Sequence, residues 1–218
     1  MEGDPVGRML ALHERYPERY PVLLDSSAAG QPLGRFTLLL AAPAGRLLLD
    51  RDRRLQGEGE GDRFCDRLDT WWKRERGPAP PAPWPFAGGW FLFLGYELAS
   101  EVEPSLRLPP SPLPVVALAW RMRAALLHDH ESGATTVLAE PAAAGIADRL
   151  RSDLQDIGQA ASPEPIGPVS AVSEDDPERY LEACRAALAH IAAGDVYQAN
   201  LARTWRAPVP AGMTTARL

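Results

Sequence analysis

The feature that most constrains the fold is a pair of apolar segments joined by a short polar turn. PVVALAWRMRAALLHDH at 114–130 and ATTVLAEP at 134–141 are separated by Glu131-Ser132-Gly133. Two β-prone segments joined by a short turn that contains glycine are typical of a β-hairpin. The chain is therefore predicted to contain an antiparallel sheet.

Further strands are predicted upstream of this hairpin. PVLLD at 21–25, RFTLLLAAP at 35–43 and GRLLLDRD at 45–52 are apolar runs bounded by turn residues. Their spacing predicts an antiparallel meander with a turn at Pro43–Gly45. GGWFLFLG at 88–95 is apolar on both faces, which predicts a central strand of the same sheet.

Helical spacing marks several other segments, including residues 5–16 and 142–158. In DRFCDRLDTWWKRER, Asp62 is expected to cap the helix. Either Trp71 or Trp72 should then point inward, with the other lying across the surface. Together these patterns predict an α+β fold that is mainly antiparallel sheet with packed helices.

The composition excludes several classes of protein. The formal net charge of −6 and the pI of about 5.3 disfavour binding to nucleic acid or to an anionic membrane surface. The N-terminus lacks the apolar region of a signal peptide, and no apolar run is long enough to span a bilayer. Cys65 and Cys184 are isolated, so no disulfide framework is predicted. We expect a cytoplasmic protein.

The chain is predicted to contain two parts joined by a linker. Residues 1–157 are expected to form an N-terminal domain, and GQAASPEPIGPVSAV at 158–172 has the composition of a linker. Residues 173–218 read as one helix that ends at Gly194, followed by a strand, VYQANLARTW. One helix and one strand bury too little surface to be a domain, so this part either docks onto the first domain or begins a second one.

The residues themselves predict no metal site. His128 and His130 flank Asp129, but no third ligand lies at a useful spacing, so a solvated strand end is expected. The acidic residues Glu97, Glu101 and Glu103 are expected to form a solvated helix face, and not a paired-carboxylate site.

Three segments, in order, resemble the chorismate-utilising family that contains component I of aminodeoxychorismate synthase and of anthranilate synthase. PVLLDSSAAGQPLGRFTLLLAAP is similar to the family's N-terminal strands, and PFAGGWFLFLGYELASEVE to its glycine-rich segment. GDVYQANLAR is similar to the opening of the chorismate-binding domain and is the most specific match. Trp90, Phe91 and Glu97 depart from the family pattern.

The resemblance implies an anthranilate-synthase-component-I-like fold and favours aminodeoxychorismate synthase component I. Such an enzyme makes 4-amino-4-deoxychorismate from chorismate and ammonia, on the route to p-aminobenzoate and folate. It implies Mg²⁺ as cofactor, with the metal ligands and catalytic residues expected downstream of Leu218. It also implies a glutamine amidotransferase subunit as ammonia donor. Anthranilate synthase component I and a non-catalytic tryptophan-binding or docking module remain as alternatives.

The resemblance also implies a tryptophan-binding site between the N-terminal strands. The matching positions are Ser26, Leu33, Gly34, Arg35 and Phe36. A loop between two strands offers free backbone groups and a serine hydroxyl to an amino acid ligand. A plain strand–loop–strand with a capping serine is the alternative.

Overall fold

The computed structural model describes residues 4–25, 34–77, 84–158 and 171–209. The chain divides into two compact units, Met1–Ser162 and Pro163–Leu218. In the described parts of the chain, no helix is both long enough and apolar enough to cross a membrane.

The first unit is built on an antiparallel sheet of six described strands. They are β1 Val22–Leu24, β2 Phe36–Asp50, β3 Leu55–Gly57, β4 Gly89–Leu94, β5 Val115–Asp129 and β6 Thr135–Ala139. The long strands β2 and β5 pair along their whole length, from Phe36 opposite Asp129 to Asp50 opposite Val115. The other side of β2 pairs with β1 and β3, and the other side of β5 with β4 and β6. The α+β prediction is confirmed.

The predicted hairpin and the predicted pairing of the first two strands are both confirmed. β5 and β6 pair antiparallel around the Glu131–Gly133 turn, with Ala125 opposite Leu138. β1 lies beside β2, with Val22 opposite Leu40 and Leu24 opposite Leu38. In both cases the apolar pattern and the turn residues are local signals that agree with the final pairing.

The predicted meander at Pro43–Gly45 is wrong, because the segment is a bulge inside one long strand. Pro43 pairs with Met122 and Gly45 with Arg121, so β2 carries one extra residue at this point. Ala42 has a positive φ of 54°, which bends the strand without reversing it. Proline and glycine are as characteristic of a bulge as of a turn, and only the partner strand distinguishes the two.

The central position predicted for β4 is also wrong. Among the described residues β4 pairs with β5 alone, and it ends the strand order β1-β2-β5-β4. Leu92 is 44% exposed and Leu94 is 54% exposed. Continuous apolarity shows that a strand has two faces suited to burial, but it does not specify how many neighbours the strand has.

Helices cover the sheet through two separate apolar clusters. α1 (Pro5–Arg15) and α4 (Ile146–Ile157) place Met9, Leu12 and Leu150 against Leu39 and Leu126. α2 (Phe64–Glu75) places Phe64 and Trp71 against Leu47 and Ala119 at the other half of the sheet. A third cluster, around Leu40, Met122 and Ala125, contains no residue of these helices.

The N-terminus of α2 is capped by Glu101 and not by Asp62. The helix begins at Phe64 after Arg63, whose side chain makes no capping bond. The N–H groups of Phe64 and Cys65 instead donate to the two carboxylate oxygens of Glu101, at 3.2 and 3.1 Å. Glu101 lies in the short helix α3 (Ala99–Val102) and is 8% exposed, so its predicted place on a solvated face is wrong.

Replacing Glu101 by alanine should lower the free energy of unfolding by about 1–2 kcal/mol, because two N–H groups at the helix end lose their acceptor. Urea denaturation followed by circular dichroism measures this loss. Glu103 is the matched control because it lies just beyond α3, and its carboxylate accepts from nearby Ser105. An equal effect of Glu101→Ala and Glu103→Ala would contradict the capping role.

The second unit contains one helix and a two-stranded ribbon among its described residues. α5 (Pro177–Ala193) is capped by Asp176, which accepts from the N–H of Glu178 at 3.0 Å. The helix ends at Gly194 with φ 82°, as predicted. β7 (Ser173–Glu174) pairs with β8 (Trp205–Arg206), so the predicted strand forms only at its end. Residues 196–204 find no partner strand among the described residues, and an extended segment without a partner makes no ladder.

Candidate functional site

The predicted tryptophan-site residues lie at one end of the sheet in the first unit. β1 ends at Leu24, β2 begins at Phe36, and β5 ends at Asp129. Phe36 stands opposite Asp129, so the start of β2 and the end of β5 are neighbours. Ser26 and Leu33 lie outside the described residues. The structure places Gly34, Arg35 and Phe36 at this end, and their role as ligands stays a prediction.

Arg35 is held in place by a two-pronged ion pair with Asp129. Its Nε and Nη2 donate to the two oxygens of that carboxylate, at 3.0 and 2.9 Å. Nη1 also lies 3.2 Å from Glu131 Oε2. The guanidinium is therefore committed to the β5–β6 turn, and it lies over the Phe36 ring with its carbon 4.8 Å from the ring centroid.

Asp129 joins the start of β2 to the β5–β6 turn. Besides Arg35, its carboxylate accepts from the N–H of Glu131 and from Ser132 Oγ, both at 3.0 Å. The Arg35 hydrogen bond is the main cause that holds the pKa of Asp129 well below its usual range. The carboxylate is therefore ionised at neutral pH, and it fixes the corner from which the predicted binding loop emerges.

A second polar chain runs from Asp25 through Thr37 to His130. Thr37 is fully buried, and its hydroxyl donates to Asp25 Oδ1 at 2.8 Å. The same oxygen lies 2.8 Å from His130 Nε2. Because the hydroxyl has one proton and gives it to Asp25, Nε2 of His130 must carry the proton of this second bond. The end of β1 is thus tied to β2 and to the residue after β5.

The solvated strand end predicted for His128 and His130 is half wrong. His130 is exposed, but His128 is only 6% exposed, and the two rings meet edge to face with centroids 4.8 Å apart. His128 Nδ1 lies 3.1 Å from Thr135 Oγ1. Burial, helped by His130, lowers the pKa of His128, so its imidazole is neutral at pH 7.

The described residues at this end of the sheet combine a carboxylate with apolar side chains. They are Asp25, Leu24 and Phe36, which stand at the end of β1 and the start of β2. A ligand with an ammonium group and an aromatic body suits such a surface. Within the described residues, no group of three or more His, Cys, Asp or Glu could hold a metal ion.

Sequence reasoning missed Asp25, Thr37 and Asp129 as parts of this network. Asp25 and Thr37 stand 12 residues apart, and Arg35 and Asp129 stand 94 apart. A correct register for β2 against β5 would have brought Arg35 to Asp129. The hairpin pattern defined the end of β5, but nothing in the sequence defined that register.

The conspicuous motif of the second unit lies on irregular backbone. Tyr197 is 92% exposed, and Gln198 Nε2 donates to Asn200 Oδ1 at 3.2 Å. The two amides are therefore in contact, although no regular strand holds them.

The antiparallel sheet and the helices that cover it define an α+β fold. The chain belongs to the chorismate-binding enzyme family, whose model matches residues 20–217.

A solved structure of a chorismate-family enzyme has a fold similar to that of this chain. Anthranilate synthase component I from Streptococcus pneumoniae TIGR4 is similar to this chain with a TM-score of 0.56 and 20% sequence identity. The match covers 88% of this chain and 44% of that chain, so the chain spans less than half the length of this relative. No curated protein gives a significant match.

Proposed function

We propose that the chain is part of an aminodeoxychorismate synthase component I, which aminates chorismate to 4-amino-4-deoxychorismate. The observation that carries the proposal is the chorismate-binding family match over residues 20–217, which includes GDVYQANL. The resemblance of three segments, in their order along the chain, to component I of aminodeoxychorismate synthase supports the proposal. The similarity to a solved anthranilate synthase component I favours anthranilate synthesis as the second candidate.

The two candidate reactions differ in whether pyruvate is released. Amination to aminodeoxychorismate keeps the enolpyruvyl group, whereas anthranilate formation expels it. The complete natural protein, given chorismate, Mg²⁺ and ammonium, should consume chorismate without forming pyruvate. Chromatography of the product and a lactate dehydrogenase assay for pyruvate measure both outcomes.

Each result of this assay discriminates between functions. Pyruvate in equal amount to the chorismate consumed would identify an anthranilate synthase and overturn the first proposal. No consumption of chorismate would favour a non-catalytic tryptophan-binding or docking module. Removal of Mg²⁺ with a chelator should stop the reaction, because the family resemblance implies this metal.

Tryptophan binding at the end of β1 and β2 is the second part of the proposal. Its support is the resemblance at Ser26 and at Leu33 to Phe36, together with the rigid corner that Arg35 and Asp129 build. The Asp25 carboxylate lies beside the same loop and would suit the ammonium group of an amino acid. Bound tryptophan would act as a fixed structural ligand or as an inhibitor.

Replacing Ser26 by alanine should weaken tryptophan binding by about tenfold, because one hydrogen bond to a charged group is lost. Calorimetric titration of tryptophan into the complete natural protein measures the change. Ser27→Ala is the matched control, since it removes the neighbouring hydroxyl. Equal affinity in the Ser26 and Ser27 variants would remove Ser26 from the site, and no binding in any form would leave a plain strand–loop–strand.

The remaining parts of the proposal follow from the family resemblance. A glutamine amidotransferase subunit would deliver ammonia, so glutamine should replace ammonium only when that subunit is present. The metal ligands and the catalytic residues would lie outside the described residues. We infer that these reactions take place in the cytoplasm.

A further inference from the structure

Two carboxylates lie at the end of the sheet where β1 stops and β2 begins, and their partners differ in charge. Asp129 is buried, and both of its oxygens accept from the Arg35 guanidinium, at 3.0 and 2.9 Å. Asp25 is exposed and, within the described residues, accepts from a neutral group, the Thr37 hydroxyl, at 2.8 Å. This partner does not neutralise the carboxylate, so of the two groups Asp25 is the one suited to a cation.

The Thr37 hydroxyl is a buried link between Asp25 and His130. Thr37 is fully buried, and its oxygen lies 2.8 Å from Asp25 Oδ1 and 2.8 Å from His130 Nε2. The hydroxyl has one proton, so it can donate to Asp25 only while His130 Nε2 acts as the donor of the second bond. The protonated nitrogen of His130 therefore sets the direction in which the hydroxyl points.

His130 is fixed although its side chain is exposed. Its backbone N–H donates to the carbonyl of Arg35 at 2.8 Å. Its ring meets the buried ring of His128 edge to face, with centroids 4.8 Å apart. Backbone and ring are thus both held, and Nε2 is kept beside the Thr37 hydroxyl.

We propose that Thr37 and His130 are positioning residues for the ammonium group of an amino acid ligand, and that they act by orienting the Asp25 carboxylate. An exposed ion pair usually contributes little, because two side chains must be ordered to form it. Here a buried hydroxyl already holds the carboxylate, so less order is lost when a cation binds. This inference rests on the proposed tryptophan site and adds the residues that select the ammonium group.

Tryptophan and indole-3-propionate, which lacks the ammonium group, are the probes. In calorimetric titration of the complete natural protein, Thr37→Val should weaken tryptophan binding about fivefold, because Asp25 loses the partner that orients it. Binding of indole-3-propionate should stay unchanged. Thr37→Ser keeps the hydroxyl and should restore the affinity for tryptophan. Thr135→Val is the matched control, because it removes a hydroxyl that lies 3.1 Å from His128 Nδ1.

His130 has a test of its own. His130→Leu should weaken tryptophan binding about threefold, because the Thr37 hydroxyl loses the donor that polarises it. His130→Gln retains an N–H donor and should bind tryptophan as the unmodified protein does. His130→Leu should add little to Thr37→Val, since the two residues act in one chain. Nitrogen-15 NMR of the full chain at alkaline pH should show the proton of His130 on Nε2.

The outcomes separate this inference from the tryptophan site on which it rests. Three results would overturn the inference while the tryptophan site stands: equal affinity of Thr37→Val and the unmodified protein for tryptophan, a parallel loss of indole-3-propionate binding, or a His130 proton on Nδ1. If the unmodified protein bound no tryptophan, the site itself would be overturned, and the inference with it.

Discussion

Replacing Asp153 by alanine should lower the free energy of unfolding by about 3 kcal/mol, because a buried ionic network loses its acceptor. Asp153 lies on α4 and is 3% exposed. It accepts from the hydroxyl of fully buried Tyr20 at 2.7 Å and from Arg19 Nη1 at 3.1 Å. Burial, and then the bond to Asp153, raises the pKa of Tyr20, so the tyrosine is a neutral donor at pH 7.

Most of the lost stability should arise because Tyr20 loses its acceptor, and little because Arg19 does. The Arg19 side chain is 38% exposed, so water can replace its partner, whereas the buried Tyr20 hydroxyl would be left without one. Urea denaturation followed by circular dichroism measures the loss. Asp148→Ala is the control on the same helix, because Asp148 is 85% exposed and pairs with Arg151. We expect the control to change stability by less than about 0.5 kcal/mol.

A double-mutant cycle with Tyr20→Phe tests whether the Tyr20–Asp153 hydrogen bond causes the loss. The alternative is that Asp153→Ala destabilises helix α4 independently of Tyr20. If the hydroxyl carries the coupling, the combined variant should lose less stability than the sum of the single losses, by about 1 kcal/mol or more. Strict additivity, or an Asp148 effect as large as that of Asp153, would contradict the network.

The sequence predicted those parts of the fold in which a local signal and the final pairing agree. The β5–β6 hairpin has apolar strands, a glycine turn and partners that are adjacent in the chain. The Pro43–Gly45 bulge depends on the register against β5, which lies far along the chain. The edge position of β4 depends on which other strands join the sheet. A local pattern allows both alternatives in each case, and the pairing with other strands decides between them.

The same limit applies to the candidate site. The family resemblance indicates Arg35 and Phe36 as site residues. It does not indicate Asp129, the partner of Arg35, which lies 94 residues away. The acidic residues around Glu101 favour a solvated face, but the carboxylate of Glu101 accepts from two N–H groups at the start of α2. Residues that act across elements carry no periodic signal in the sequence, so contacts found in the structure are needed to assign them.

Family membership was predictable because it rests on short motifs that can be recognised in the sequence without knowledge of the structure. GDVYQANL indicates the chorismate-binding family although the segment has no regular strand in the described residues. The choice between amination alone and amination with loss of pyruvate depends on groups that contact the reacting carbons. The product assay therefore tests the function more directly than any further argument from this fold.

Replacing Trp71 by alanine should cost about 4 kcal/mol, because a large buried ring leaves a cavity beneath α2. Trp71 is 1% exposed and packs with Phe64 and Leu47. Its Nε1 donates to Glu75 Oε1 at 2.9 Å, and its ring meets Trp90 edge to face at 5.7 Å between centroids. Packing, an aromatic pair and a hydrogen bond are all lost together.

The neighbouring tryptophan provides the matched control. Trp72 is 42% exposed and carries the guanidinium of Arg76 over its ring at 4.9 Å. An exposed cation–π contact contributes less than about 1 kcal/mol, so Trp72→Ala should be nearly neutral by the same urea denaturation. The prediction that one of the two rings points inward is confirmed by these exposures. If both variants lost a similar free energy of unfolding, the exposed face of α2 would stabilise the protein as much as the buried cluster around Trp71. That result would contradict the prediction.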